Sequence, residues 1–125
     1  ERVNTLIDTR LNDGSISNAI ISHLESQTVT AVSDQRLKFD INNIEKSLDD
    51  IRPVQFRYKN KPDELRYGVI AQQVEKMFPE LVDTNSMNEK SVRYLDLIGL
   101  LIKENNTLKS RIEKIENILK NNGLV

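Results

Sequence analysis

From Ile98 onward, apolar residues return at alternating spacings of three and four: Ile98, Leu101, Leu108, Ile112, Ile115 and Leu119, with Asn105 in phase among them and Tyr94 extending the series backwards. Such a series falls on one side of an α-helix, and a stripe this narrow suits the seam of a coiled coil. With Ile98 at position a, the a set is Ile98, Asn105, Ile112 and Leu119, and the d set is Tyr94, Leu101, Leu108 and Ile115. Isoleucine at both kinds of position, as at Ile112 and Ile115, moves preference away from dimers toward trimers, and an Asn at position a costs stability while fixing register. Asn121, Asn122 and Gly123 suit a helix C-terminus. The pattern alone equally allows one amphipathic helix packed inside a monomer. Composition bears on that choice. Apolar residues make up 38% of 125, aromatics only 5%, and there is no Trp, so a core built from one copy would be thin. Part of the apolar surface is therefore expected between subunits.

The rest of the chain reads as an α+β, helix-rich protomer. Val3, Leu6, Ile7 and Leu11 share one helical face; a turn at Asn12-Asp13-Gly14 follows, and Ser15 caps a second pattern with Ile16, Ala19, Ile20 and Leu24. Thr28 to Val32 has extended, β-branched character. Behind Ser33-Asp34, Leu37, Ile41, Ile44, Leu48 and Ile51 form a continuous apolar stripe, which predicts a long helix ended by Pro53. Val54, Phe56 and Tyr58 alternate with polar residues as in a half-buried strand. A turn at Asn60 to Asp63 leads to a second strand over Arg66 to Ile70, giving a small antiparallel sheet. A short helix from Ala71 to Phe78 stops at Pro79, Asp83 to Glu89 is loop-like, and Ser91 to Tyr94 predicts a last short strand.

Several function classes fall away. The net charge is -1 and the pI is near 5.9, so the basic excess of a nucleic-acid or membrane-surface binder is missing. There is no Cys, which excludes disulfides and thiolate metal sites. No apolar run has the length of a membrane span, no signal peptide opens the chain, and the start without Met predicts a fragment of a longer protein. Neither a phosphate-binding loop nor a dinucleotide fingerprint is present, and no metal or cofactor is expected. His23 is the sole histidine and reads as a helix-surface or interface residue. Asp49 and Asp50 face apart on a helix, and Arg57, Lys59 and Lys61 sit on an outward face, so both sets read as solvated surface.

Ser33 and Lys38, within S-D-Q-R-L-K, are the remaining pair with chemical potential. A Ser–Lys pair performs acyl transfer when a neutral lysine takes the serine proton. Five residues along a helix is about 7.5 Å of rise and roughly 140° of rotation, so the two would face apart if both were helical. If Ser33 instead precedes the first turn, Lys38 can reach back to it, because helical side chains lean toward the N-terminus. The positive helix end and partial burial would favour the neutral amine, and free N–H groups of the first turn would hold an oxyanion. The plainer alternative makes Ser33 a helix N-cap, Asp34 a favourable charge at the helix start and Lys38 a surface lysine.

Five blocks in order carry a family resemblance: S-D-Q-R-L-K (Ser33 to Lys38), L-D-D-I-R-P-V-Q-F-R-Y-K (Leu48 to Lys59), Y-G-V-I-A-Q-Q-V-E (Tyr67 to Glu75), F-P-E-L-V (Phe78 to Val82) and S-V-R-Y-L-D-L-I (Ser91 to Ile98). Together they resemble the endosialidase-type intramolecular chaperone auto-processing family, found at the C-termini of phage tail spikes, fibres and neck appendages and within the myelin regulatory factor group. The resemblance implies a parallel homotrimer that templates assembly of its own upstream passenger and then cuts the bond before the motif serine. It makes Ser33 the nucleophile, Lys38 its base and Val32–Ser33 the scissile bond. Residues 1–32 are then the end of the passenger and 33–125 the chaperone, released from a virion structural protein assembled in the host cytoplasm. No cofactor, nucleic acid or membrane is implied. Two departures stand out: Gln73 stands where the family often has an acid, and the connection from Lys59 to Tyr67 is short. Two rivals remain open, a non-catalytic coiled-coil adaptor and a processing domain of a membrane-tethered transcription factor.

Overall fold

The computed structural model describes residues 24–124. The helical patterns expected over Val3 to Ile20, and His23, lie outside the described residues. The chain divides into two units, residues 1–41 and 42–125. In the first, residues 24–34 have no regular structure, so the extended segment expected at Thr28 to Val32 pairs with no strand among the described residues, and Leu24 is not helical. A single 3₁₀ turn follows at Gln35–Leu37.

The long helix expected behind Ser33 is absent. Residues 38–47 have no regular structure, and Asp40 takes a left-handed φ of 55°. One such residue ends a right-handed helix, and Asp adopts it more readily than most because its short side chain can bond locally. Asn42, Asn43, Ser47, Asp49 and Asp50 add weak helix formers to the same stretch. The apolar spacing instead serves a strap along the second unit. Leu48 and Ile51 pack against its core, and the strap turns at Leu48 through an Ile51 N–H to Leu48 carbonyl bond of 2.9 Å.

The second unit holds two small antiparallel sheets and two helices. Strands β1 (Val54–Tyr58) and β2 (Lys61–Gly68) form a hairpin around a two-residue turn. Phe56 faces Arg66 while Tyr58 faces Lys61, so Pro62 to Leu65 are opposed by Arg57 alone. That irregularity accommodates a proline where the sequence suggested the turn itself, because Pro lacks the ladder N–H. Helix α1 (Ala71–Met77) ends at Phe78 and passes into a 3₁₀ turn at Pro79–Leu81, which places the proline in the first turn. Strands β3 (Val82–Thr84) and β4 (Lys90–Val92) pair around an Asn85-centred loop; β3 was not expected, and β4 stops before Tyr94.

Helix α2 (Tyr94–Asn121) has 28 residues and so is about 42 Å long. It stops as the sequence predicts. Gly123 has a φ of 68°, and its N–H bonds the Lys120 carbonyl while that of Leu124 bonds Leu119. This is the Schellman pattern, for which glycine suffers no Cβ clash.

The buried set is small among the described residues: Val74, Phe78, Leu81 and Leu100. Leu48, Ile51, Val69, Met77, Val82, Val92 and Leu97 pack around it. The heptad seam lies outside this core. From Tyr94 to Ile115 its aromatic and aliphatic members are 50% to 59% exposed, whereas Leu119 is half-buried. Full burial of a Leu or Ile is worth about 2 kcal/mol, so a lone chain forgoes roughly half of that at each aliphatic seam position from Ile98 to Ile115.

Candidate functional site

Ser33 and Lys38 are brought together. Lys38 Nζ lies 2.6 Å from Ser33 Oγ, in donating geometry. The 3₁₀ turn between them explains the approach. Ser33 precedes the turn and Lys38 leaves it with extended backbone, φ -116° and ψ 150°, so the lysine stem folds back across a single turn. The approach follows from chain reversal; no long helix is involved.

Ser33 is not the cap of this turn. Asp34 is: its Oδ1 accepts from the Arg36 N–H at 2.9 Å. The Arg36 guanidinium also grips the same carboxylate, with Nη2 donating to Oδ2 at 2.8 Å. These bonds, the side-chain pair first, hold the Asp34 carboxyl below its ordinary value and the Arg36 guanidinium above its own. With the cap supplied by its neighbour, the Ser33 hydroxyl is left to Lys38. Sequence reasoning treated Asp34 only as a favourable charge at a helix start. The D-x-R spacing was the signal for the lock.

Three first-turn amides proposed for an oxyanion are already engaged. Arg36 N–H bonds Asp34 Oδ1, Leu37 N–H bonds the Asp34 carbonyl at 3.0 Å, and Lys38 N–H bonds the Gln35 carbonyl at 3.1 Å. Val32, the residue before Ser33, is 81% exposed, and Leu37, Phe39 and Ile41 are exposed too. The dyad of a single chain is open to water and bordered by uncovered apolar side chains.

In the second unit, Lys103 and Glu104 of α2 grip the strap. Glu104 Oε1 accepts the Leu48 N–H at 3.0 Å, and Lys103 Nζ donates to the Lys46 carbonyl at 3.3 Å. Lys46 Nζ in turn donates to the Met77 carbonyl at 2.9 Å and sits 5.3 Å from the Phe78 ring centroid. The Leu48 amide is the chief reason that the Glu104 carboxyl is held below its ordinary value. No sequence signal marked these residues, because the partners are separated by 56 and 57 positions. Arg93, just before α2, makes a two-pronged pair with Asp83, at 3.0 and 2.9 Å, which holds Asp83 low and Arg93 high. Gln73, the departure from the family pattern, has its Oε1 buried without a hydrogen-bond partner among the described residues. An open apolar groove of about 800 Å³ lies beside the first turns of α2 and is lined by Leu48, Ile51, Val54, Tyr94, Ile98 and Leu101, among others.

Among the described residues no group of three His, Cys, Asp or Glu is placed to hold a metal ion, and no helix is long and apolar enough to cross a membrane. No curated protein matches the chain. Residues 33–83 do match a family model, that of the chaperone of endosialidase. The match starts at Ser33, takes in Lys38, the strap, the β1–β2 hairpin and α1, and ends in β3. Four of the five sequence blocks fall inside it. The resemblance read from those blocks is thus borne out, and residues 33–83 carry the signature of the chaperone-of-endosialidase family, a family of self-cleaving peptidase domains.

Proposed function

We propose that this chain is a C-terminal intramolecular chaperone that trimerises, templates assembly of a phage tail-spike or neck-appendage passenger, and releases itself by cutting between Val32 and Ser33. The observation that carries the reading is the 2.6 Å approach of Lys38 Nζ to Ser33 Oγ, in a turn whose cap is supplied by Asp34. With the amine unprotonated, the same pair lets the Ser33 hydroxyl donate to Lys38. Oγ then attacks the Val32 carbonyl carbon while Lys38 takes the proton. Collapse of the tetrahedral species breaks the Val32–Ser33 C–N bond, the departing nitrogen takes that proton, and an ester remains between Val32 and Oγ. Water hydrolyses the ester, leaving a Val32 carboxylate and restoring the Ser33 hydroxyl. One cut per chain consumes one water and needs no cofactor.

Association of copies is supported by the uncovered heptad seam and by the groove, whose lining includes the seam residues Tyr94, Ile98 and Leu101. Three parallel α2 helices bury both, and Ile112 and Ile115 favour three strands over two. A trimeric β fibre has many non-local contacts and registers slowly, with aggregation-prone intermediates. Helices that associate first hold the three passenger strands at high effective concentration. Cutting then removes the template, and the product persists by kinetic stability.

The test is the intact mass of freshly purified protein under denaturing conditions, beside Ser33→Ala and Lys38→Ala. Fragments 1–32 and 33–125 are expected in the wild type alone. A single uncut species in all three would leave a trimerisation module without self-cleavage.

A further inference from the structure

Ser33 and Asp34 are both residue types that cap helical turns, so the S-D pair gives the turn at Gln35–Leu37 two candidate starts, one residue apart. Asp34 holds the cap. Its backbone is extended, with φ -66° and ψ 127°, its Oδ1 accepts the Arg36 N–H at 2.9 Å, and its carbonyl accepts the Leu37 N–H at 3.0 Å. The Arg36 side chain closes over the same carboxylate: Nε lies 3.2 and 3.3 Å from its two oxygens, and Nη2 lies 2.8 Å from Oδ2. No residue of the turn is buried, so packing does not fix where it starts. A turn capped by Ser33 would engage the hydroxyl with a backbone amide. Capped by Asp34, it leaves Ser33 one position outside, with its Oγ 2.6 Å from Lys38 Nζ.

We propose that Asp34 is a positioning residue for self-cleavage: by winning the cap from Ser33 it sets the start of the turn and keeps the serine hydroxyl for Lys38. The inference rests on the self-cleavage reading and adds a residue outside the dyad. The Asp34 carboxylate takes no proton and forms no bond in the reaction; it acts through the Arg36 amide. Arg36 reinforces it, because two side-chain donors hold the carboxylate at the capping position. Reach decides which side chains can serve. Asp and Asn carry the acceptor oxygen on Cγ and are favoured caps, whereas Glu carries it one carbon further out.

Asp34→Ala, Asp34→Asn and Asp34→Glu in the full chain test it, with three readouts. These are the rate at which fragment 33–125 appears after refolding, the oligomeric state by sedimentation, and hydrogen exchange of the Arg36 amide in a Ser33→Ala background. Asp34→Ala is expected to slow cutting about tenfold or more and to speed Arg36 exchange about fivefold, with sedimentation equal to wild type. Asp34→Asn keeps the capping oxygen without the charge and is expected to cut within about threefold of wild type. Asp34→Glu keeps the charge without the reach and is expected to be about tenfold slower. Asn fast and Glu slow is an order that neither loss of bulk stability nor loss of the Arg36 ion pair would give. If Asp34→Ala does not assemble, the Asn and Glu variants carry the comparison. Cutting of Asp34→Ala at the wild-type rate, with Arg36 exchange accelerated, overturns the role of the cap and leaves self-cleavage standing. The reverse order, Glu fast and Asn slow, overturns the cap in favour of the charge. A wild type that never cuts overturns the self-cleavage reading, and the role of Asp34 with it.

Discussion

At the residue scale, small local arrangements free or confine particular groups. The Asp34–Arg36 lock caps the 3₁₀ turn and leaves Ser33 to Lys38, a division that S-D-Q-R-L-K spells out only when the turn is seen. Gly68 shows the same economy at the end of β2. A Cβ there would stand 2.7 Å from Tyr94 Oη and 3.4 Å from the Phe56 ring. Gly68→Ala is therefore expected to cost about 1–3 kcal/mol through overpacking, read as a lower urea midpoint at fixed protein concentration. Tyr94→Phe in the same chain removes the offending oxygen and is expected to recover most of the loss. No recovery would mean that the Phe56 ring or the backbone is the tighter neighbour.

At the element scale, α2 is a helix whose apolar seam stays about half exposed from Tyr94 to Ile115 among the described residues. Ile112 stands 55% exposed in that seam, roughly three turns from the compact core at Leu100. In the proposed three-helix assembly, Ile112→Asp would place an unpaired charge in the seam, costing on the order of 3 kcal/mol per chain. The expected outcome is a monomer by sedimentation at concentrations where the wild type assembles. Glu113→Ala, one position along on the outer face, is expected to leave assembly intact. Equal sedimentation of Ile112→Asp and wild type would show that the seam does not join the copies. The helix ends follow local rules: Gly123 takes the left-handed position, and Arg93, a cation at the positive end, is compensated by the Asp83 carboxylate.

At the scale of the whole molecule, the second unit is held by a small core and by polar ties between elements distant in sequence. Asp83 joins β3 to the start of α2, and Glu104 joins α2 to the strap. Both carboxyls are held below their ordinary values, Asp83 chiefly by Arg93 and Glu104 chiefly by the Leu48 amide. A depressed folded value means that the unfolded chain binds protons more readily. The stability these groups supply is thus complete above the ordinary carboxylate range and is lost as pH falls through that range to the lower folded values. Unfolding midpoints are expected to be level from neutrality down to that range and to drop below it. Asp83→Asn should flatten the drop in part. An acid limb of unchanged steepness in that variant would place the effect on other carboxylates. The Asp83–Arg93 pair is open to solvent, so its share is expected to shrink in high salt.

Much of this fold could be read from the chain. Helix α2, its seam and its glycine stop, the start of the hairpin at Val54, and α1 ending before Pro79 are set by periodicity and by Pro and Gly punctuation, signals that act within a few residues. Ser33 and Lys38 were readable as a pair for the same reason, and the family match over 33–83 bears out the blocks that surround them. The segment from Lys38 to Ile51 was not readable. Its apolar spacing suits a helix stripe as well as a strap whose apolar packing on the core is through Leu48 and Ile51, and local pattern cannot tell the two apart. Contacts across 56 positions decided it, because the backbone groups a helix would have satisfied internally are met instead by Glu104 and Lys103. The closeness of lysine to serine was likewise decided by the path of the backbone. Spacing along an ideal helix would have turned them apart, and one 3₁₀ turn with an extended exit turns them together.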